Sequence, residues 1–570
     1  MTLVVRTGAS VLIEAKATTQ ENKGEMSGTQ DGSAPQNKFR TWPAKLISLC
    51  NRSVAMASIL VGAIALSFRL LLTPLLPLPK PAVHDEFSYL LAADTFAHGR
   101  LTNPTHPMWI HFETFHELSH PTYASMYPPG QGLVLALGQI FDAPWSALWL
   151  SMAVLCGLIT WALWGWLEPP WAIAGGLLAA LQLTGSYWTE TYWGGTVAAI
   201  GGALVVGALA RLFRRATSGP SLAFGLGLAI LANTRPFEGL VLGALSAVFL
   251  LVHLIRLVRR GRQDSSQLVH SIGLTLASVL LPTFIWMGYY NYRVTGNPLQ
   301  MPSSLYARQY ESWSVFLWSN HPGPEPKFDH EIFRTFLLEF EGPVNQFDRQ
   351  HILRVHVENL IIFYRFFLGL PLFLVILISS RRLVINRRLR VPLLLLLLFY
   401  VGLSVEAQLY PHYFAPATVL VFLIATAAVQ DVSSVFLPGK KRLAAACAIF
   451  FCIALFDVGR IMNSASRFLF RGDLQEFIAG RDRVLTFLRK QPGQQLVLVR
   501  YGPHHIVIDE WVYNDANIDQ SRIVWAHAMP GGKDDELLRY YPKRRVWILE
   551  DDERENKKVI TLAPKRADQH

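Results

Sequence analysis

Charge is scarce in this chain, and so is cysteine. Only 16% of its 570 residues are Asp, Glu, Lys or Arg, against 51% hydrophobic, and mean hydropathy is positive. That balance excludes an ordinary water-soluble enzyme. The four cysteines, Cys50, Cys156, Cys447 and Cys452, fall in or beside apolar segments. No disulfide framework is therefore expected, and they read as packing residues. No internal repeat stands out. Residues 1–45, rich in Gly, Ser, Thr, Gln and Lys without apolar periodicity, lack the layout of a cleavable signal peptide and read as a disordered cytoplasmic tail.

Apolar runs are what the chain has in quantity. Segments 54–76, 146–167, 171–183, 197–213, 221–232, 240–255, 272–290, 360–379, 391–405, 414–429 and 443–456 are expected as eleven transmembrane helices, although several fall short of the roughly 20 residues that cross the hydrocarbon core. Segment 131–140 reads as a surface or re-entrant helix. The net charge of +11 follows membrane topology rather than nucleic-acid binding. Basic residues crowd the amino-terminal tail and the short connectors at 211–215, 256–262, 381–390 and 440–442, while the long loops at 80–130 and 291–357 carry few. The expected fold is a polytopic α-helical membrane protein of the plasma (inner) membrane, with its amino terminus cytoplasmic. Residues 46–459 form the membrane domain. Residues 460–570 form a small α/β domain on the outer (periplasmic or extracellular) side, with strands at 496–501, 522–526 and 545–549 and a helix at 534–540. His504-His505 and the acidic run 550–553 read as solvated surface.

The outer loops carry the chemistry-bearing residues. His84-Asp85-Glu86 directly follows the first apolar run and opens a helix expected over 85–98, with Gly99 as its stop. Asp85 is either a catalytic carboxylate or simply a cap at the helix start. His116-Glu117-Leu118-Ser119-His120 matches the H-E-x-x-H pattern of zinc proteases, which works only on a stable helix. Pro121 pushes His120 out of helical geometry. A looser metal site using His111, Glu113, His116 or His120 is a separate reading. The stretch 186–195 reads as an interfacial aromatic belt, or offers Trp188 or Trp193 to a sugar ring or isoprenoid chain. Arg69 and Arg365 sit inside apolar runs, and Arg235 and Arg293 at the ends of others. Such charges are paired, here with Glu238, Glu406 or the Asp85-Glu86 carboxylates, or they bind a lipid phosphate.

Several of these features occur together: an Asp-Glu pair opening the first outer loop, a helix with Tyr89 and Asp94 ending at Gly99-Arg100-Leu101, the Tyr127-Pro128-Pro129-Gly130 break, and Asn233-Thr234-Arg235-Pro236 at a span end. In this combination residues 54–431 resemble the glycosyltransferase C superfamily, in the branch of the protein O-mannosyltransferases and the lipid A aminoarabinose transferase. The resemblance implies inverting transfer of a hexose or pentose from a polyprenyl-phosphate donor to a hydroxyl of a protein, lipid or glycan acceptor on the outer face. It implies Asp85 as general base, with Glu86 orienting the acceptor or a cation. Lys80, Arg69, Arg235, Arg293 and Arg365 are the candidates for the donor phosphate, and Tyr89, Trp188, Trp193, Tyr410, His412 and Tyr413 for lining the cavity. No cofactor is required, and a divalent cation is compatible. The segment 291–359 is expected to cover the donor site or to select the acceptor. The rival classes are a transporter or lipid flippase, a membrane zinc protease, and a noncatalytic envelope partner.

Overall fold

The computed structural model describes residues 52–565 except 262–263, 314–315, 317–325, 346–350, 408, 437–439, 463–471 and 555–556; the expected tail at 1–45 lies outside the described residues. Each of the eleven apolar segments is helical. Among the described residues, seven helices are long and apolar enough to cross a bilayer: Val54–Leu71, Pro144–Trp166, Pro236–Arg259, Ser266–Thr295, Ile352–Ile385, Ala415–Ser434 and Ala444–Ile461. The other four expected spans are shorter helices. Pro169–Thr184, Thr196–Leu212, Ser218–Thr234 and Arg390–Leu403 have 16, 17, 17 and 14 residues. At ~1.5 Å rise per residue they fall short of the hydrocarbon thickness.

Their ends have local causes. Pro236 cannot continue a helix from Thr234 and forces its predecessor out of the α region. Arg235 accordingly adopts φ −138°, ψ 79° as the single residue between two helices. The helices pack through small residues, as membrane helices do. A Cβ on Gly62 would lie 2.8 Å from Ala153 O, and one on Gly157 would lie 2.8 Å from Ser58 O. This reciprocal contact lets Val54–Leu71 and Pro144–Trp166 cross backbone to backbone. Pro144–Trp166 and Ala415–Ser434 are central, with 72% and 83% of their apolar windows buried, while Ser266–Thr295, at 11%, is peripheral.

One face of the bundle carries the loop that begins at Leu72. Its helix, His84–Ala97, ends where Gly99 takes φ +70° and Arg100 N–H donates to Thr95 O. Strands β1 (Asn103–Pro104), β2 (Glu117–Leu118) and β3 (Thr122–Ser125) follow as an antiparallel sheet of order β1-β3-β2. The Pro129–Gln139 helix packs one face on His84–Ala97, where a Cβ on Gly132 would meet Ala92, and exposes Leu133 and Leu137 on the other.

After the Gly472–Lys490 helix, β4 (Gln495–Tyr501), β5 (Ile523–His527), β6 (Arg545–Arg554) and β7 (Lys557–Pro564) form a sheet of order β5-β4-β6-β7, parallel except for the β6–β7 pair. The strands lie where the periodicity predicts, with β7 additional. Central β4 is a continuous apolar run, as a strand covered on both faces must be. Leu496 and Leu498 pack with Leu91, Phe112 and Tyr123 of the loop. Val497 and Val499 pack with Phe477, Trp511, Ala82 and Val83. Both faces of the α/β sheet therefore share a core with the 82–123 segment, which it buttresses. The expectation of a solvated surface at 504–505 and 550–553 fails for two residues. His505 stacks on Tyr501 at 4.1 Å. Asp551, on a strand paired on both sides, is 1% exposed and accepts from Trp511 Nε1 at 2.6 Å.

Candidate active site

Asp85 is the second residue of the His84–Ala97 helix, and the cap is made by its neighbour. Glu86 Oε2 accepts from the Ala82 and Val83 N–H groups at 2.9 and 3.2 Å, and its Oε1 accepts from Tyr192 N–H at 2.9 Å. Glu86 is therefore a buried structural anchor, with both oxygens engaged by backbone N–H groups. Burial pushes its carboxyl up to about 7 against the pull of those backbone groups. Glu86→Gln puts an amide NH2 against a backbone donor, and is expected to cost about 1–3 kcal/mol, read as a lower thermal midpoint of the purified protein. With the cap supplied by Glu86, Asp85 is released for other contacts.

Its partner is His116. The His116 backbone lies in the left-handed region, φ 59°, which a non-glycine residue holds only where surroundings enforce it. They do so here. Its N–H donates to Tyr306 Oη at 3.1 Å, and its carbonyl accepts from Ser88 Oγ at 2.7 Å and Met126 N–H at 3.2 Å. The ring is thereby aimed between two carboxylates: Nδ1–H donates to Asp85 Oδ1 and Nε2–H to Glu341 Oε1, both at 3.0 Å. Tyr127, stacked on Tyr89 at 4.4 Å, also donates to Asp85 Oδ1. Asp85 Oδ2 lies 3.6 Å from His84 Nε2, beyond hydrogen-bond reach.

Burial works against charge on these groups, and pairing overcomes it. Burial would raise the Asp85 carboxyl, but His116, then His84, with hydrogen bonds from His116 and Trp193, holds it well below the usual carboxylate range. Burial likewise opposes charge on His116, yet Glu341 and Asp85 push it up to about 10. Burial, and then His116, pushes His84 down to about 4. The centre is thus one imidazolium between two carboxylates.

The zinc-protease pattern dissolves in this geometry. Glu117 lies on β2, where alternation turns it away from His116, and His120 sits against Trp109 at 4.7 Å. The looser metal set also scatters: His111 Nδ1–H donates to His527 O at 3.0 Å, and Glu113 accepts from Tyr310 Oη at 2.6 Å. Among the described residues, the group with metal-ligating atoms within 4.8 Å of one another is His84, Asp85 and His116. His84 Nδ1 is buried there without a hydrogen-bond partner, but an imidazolium has no lone pair for a metal, so the three residues would hold a divalent cation only with His116 deprotonated.

Residues widely separated in sequence gather around Asp85. Trp193 lies 5.1 Å from His412 and 6.1 Å from Tyr410. His412 lies 4.9 Å from Tyr413, whose ring sits 4.7 Å below the Arg235 guanidinium. Tyr89, Trp193, Tyr410, His412, Tyr413 and Arg235 are thus brought together. The other candidates lie elsewhere. Arg69 donates to the Leu76 and Pro77 carbonyls at 3.1 and 3.3 Å and covers Trp149. Lys80 pairs with Asp482 at 3.1 Å and lines a cleft of about 560 Å³ between the His84–Ala97 helix and the α/β domain, which Asp85 does not line. Arg293 is exposed, bonded to Tyr289, and Arg365 is exposed on the turn Tyr364–Leu368. Trp188, 1% exposed, belongs to the apolar core against Phe366. Sequence reasoning missed Tyr127 and Glu341 as site residues and flagged His116 for another chemistry. Only Tyr127, inside the Tyr-Pro-Pro-Gly break, had a signal in the sequence.

Fold and site together define a multi-pass membrane protein with a buried carboxylate–imidazolium centre on the face that carries its α/β domain. No family model and no curated protein matches the chain. Among solved structures it is similar to the apo oligosaccharyltransferase of Archaeoglobus fulgidus, at 13% identity and TM-score 0.46, with 78% of this chain and 62% of that one covered. It is also similar to ArnT from Cupriavidus metallidurans, at 12% identity over 92% of this chain and 98% of that one. The TM-score is 0.49 for the apo state and 0.47 for the form bound to undecaprenyl phosphate. Likenesses at this level establish neither family membership nor activity.

Proposed function

We propose that this protein is an inverting glycosyltransferase of the plasma membrane. It moves a sugar from a polyprenyl-phosphate donor to an acceptor hydroxyl on the outer face, with Asp85 as general base. The observation that carries the reading is the placement of the Asp85 carboxylate: 8% exposed, with Oδ1 accepting from His116 and Tyr127; Arg235 lies over the Tyr413 ring. Residues 54–431 add their motif resemblance to the glycosyltransferase C superfamily.

In this reading the acceptor oxygen attacks the anomeric carbon while its proton passes to Asp85 Oδ2, and the bond from carbon to phosphate oxygen breaks with its electron pair leaving on the phosphate. Arg235 neutralises that anion. His116 keeps Asp85 ionised but also lowers its basicity. Proton transfer is therefore late, occurring once bond formation has made the hydroxyl acidic. The outer-face assignment follows from the basic connectors on the opposite side.

The test is release of polyprenyl phosphate from a panel of lipid-phosphate sugars by the purified protein in nanodiscs with crude envelope acceptors. Donor-dependent release is expected. No release across a broad panel rejects the transferase and favours transport.

A further inference from the structure

Two carboxylates beside Arg235 have no part in the reaction above. Glu238, in the first turn of Pro236–Arg259, is 4% exposed and stands 3.7 Å from Arg235 Nη1. Glu406, just beyond the Arg390–Leu403 helix, is 7% exposed, and its Oε2 is buried with no hydrogen-bond partner among the described residues. It bridges Phe316, whose ring lies 5.1 Å from that of Phe237, the residue before Glu238. The Arg235 guanidinium is engaged with Glu238 and the Tyr413 ring. A buried carboxylate left in that position is unfavourable whether ionised, when it lacks donors, or protonated, when its O–H lacks an acceptor. Natural structures keep such a group where a ligand completes it.

The place fits a ligand of one chemistry. Arg235 stands 3.7 Å from Glu238 and 4.7 Å from the Tyr413 ring, which neighbours His412 at 4.9 Å. Tyr413, His412 and Trp193 offer flat apolar faces, and carboxylates flanked by aromatic faces suit a ring that carries several hydrogen-bond donors on an apolar body. We infer that Glu406, seconded by Glu238, forms the subsite that accepts hydrogen bonds from the hydroxyl or amino groups of the donor sugar and so determines which sugar is taken. The inference rests on the transferase reading for its substrate class. Its occupancy is nevertheless measured by binding and needs no turnover.

Binding of a polyprenyl-phosphate sugar and of bare polyprenyl phosphate is compared in nanodiscs for wild type, Glu406→Gln and Glu406→Leu, together with each protein's thermal midpoint. Wild type is expected to bind the sugar-bearing lipid more tightly than the bare one. Both variants should lose about ten- to hundredfold of that preference without a lower midpoint, because Glu406 Oε2 has no hydrogen-bond partner among the described residues. Loss confined to amino-bearing sugars identifies the ligand group as an ammonium, and loss across neutral sugars identifies hydroxyls. Equal binding of both lipids by wild type, or an unchanged preference in a folded Glu406→Gln protein, overturns the subsite. A lowered midpoint in both variants with the preference intact also overturns it, making Glu406 a structural partner of Arg235. Failure of the transferase reading would instead appear as intact preference for the sugar lipid without release of polyprenyl phosphate.

Discussion

Asp85→Asn is expected to lower the rate of polyprenyl phosphate release by about 10²–10⁴-fold, the range a positioned general base contributes, while leaving the protein folded. The substitution is nearly isosteric, and the amide oxygen still accepts from His116 Nδ1. The imidazolium retains Glu341 at 3.0 Å, so no buried charge is orphaned. Donor affinity should change far less than turnover, because Asp85 is proposed to meet the acceptor's proton and Arg235 the phosphate. A rate equal to wild type at saturating donor would remove Asp85 from the chemistry. A loss of donor binding to match the loss of rate would make it a ligand-holding group instead. The measurement is a paired determination of release rate and donor affinity on the same nanodisc preparation.

The second large effect is on stability. His116→Ala leaves the buried Asp85 and the partly buried Glu341 facing each other with the cation between them gone. Removing one partner of a buried charge pair costs about 3–5 kcal/mol, so a steep fall in thermal midpoint is expected, and turnover should fall with it. The pH dependence carries the same signature. His116 is raised in the folded protein from 6.5 to about 10, so its contribution is complete below 6.5 and disappears as pH climbs through about 10. Asp85 is lowered from 3.8, so its contribution is present above that value and disappears as pH falls below it. Wild-type stability should therefore decline between pH 6.5 and about 10 in a component that His116→Ala lacks. If denaturant midpoints of the two proteins run parallel across that interval, His116 is not the cation of this centre.

How much of this was legible beforehand varied with the range of the interaction. The apolar runs, the helix after His84 and three of the four α/β strands were legible because each depends on a local pattern: length, period and a stop signal such as Gly99. The charge bias of the connectors is equally local. Asp85 stood out by its place after the first apolar run, but its neighbour Glu86 could not be told apart from it. Which of two adjacent carboxylates caps the loop depends on Tyr192 N–H, contributed from 106 positions away. The arginines show the same limit. Four looked equivalent as buried or terminal charges, and only packing set Arg235 against Tyr413 while giving Arg69 to the Leu76 and Pro77 carbonyls.

His116 marks the boundary most sharply. Its sequence context matches a metalloprotease pattern that needs a helix, whereas the segment folds as a strand hairpin, and the ring meets Asp85 from 31 residues away and Glu341 from 225. The sequence by itself determined a helical membrane protein with an acidic loop after its first apolar run and an α/β extension, because hydrophobic length and periodicity act within a few residues. Tertiary structure alone decided that one imidazolium would stay charged between two carboxylates. Desolvation and Coulomb attraction depend on which groups share a buried volume, and a residue's own neighbours in the chain do not determine that.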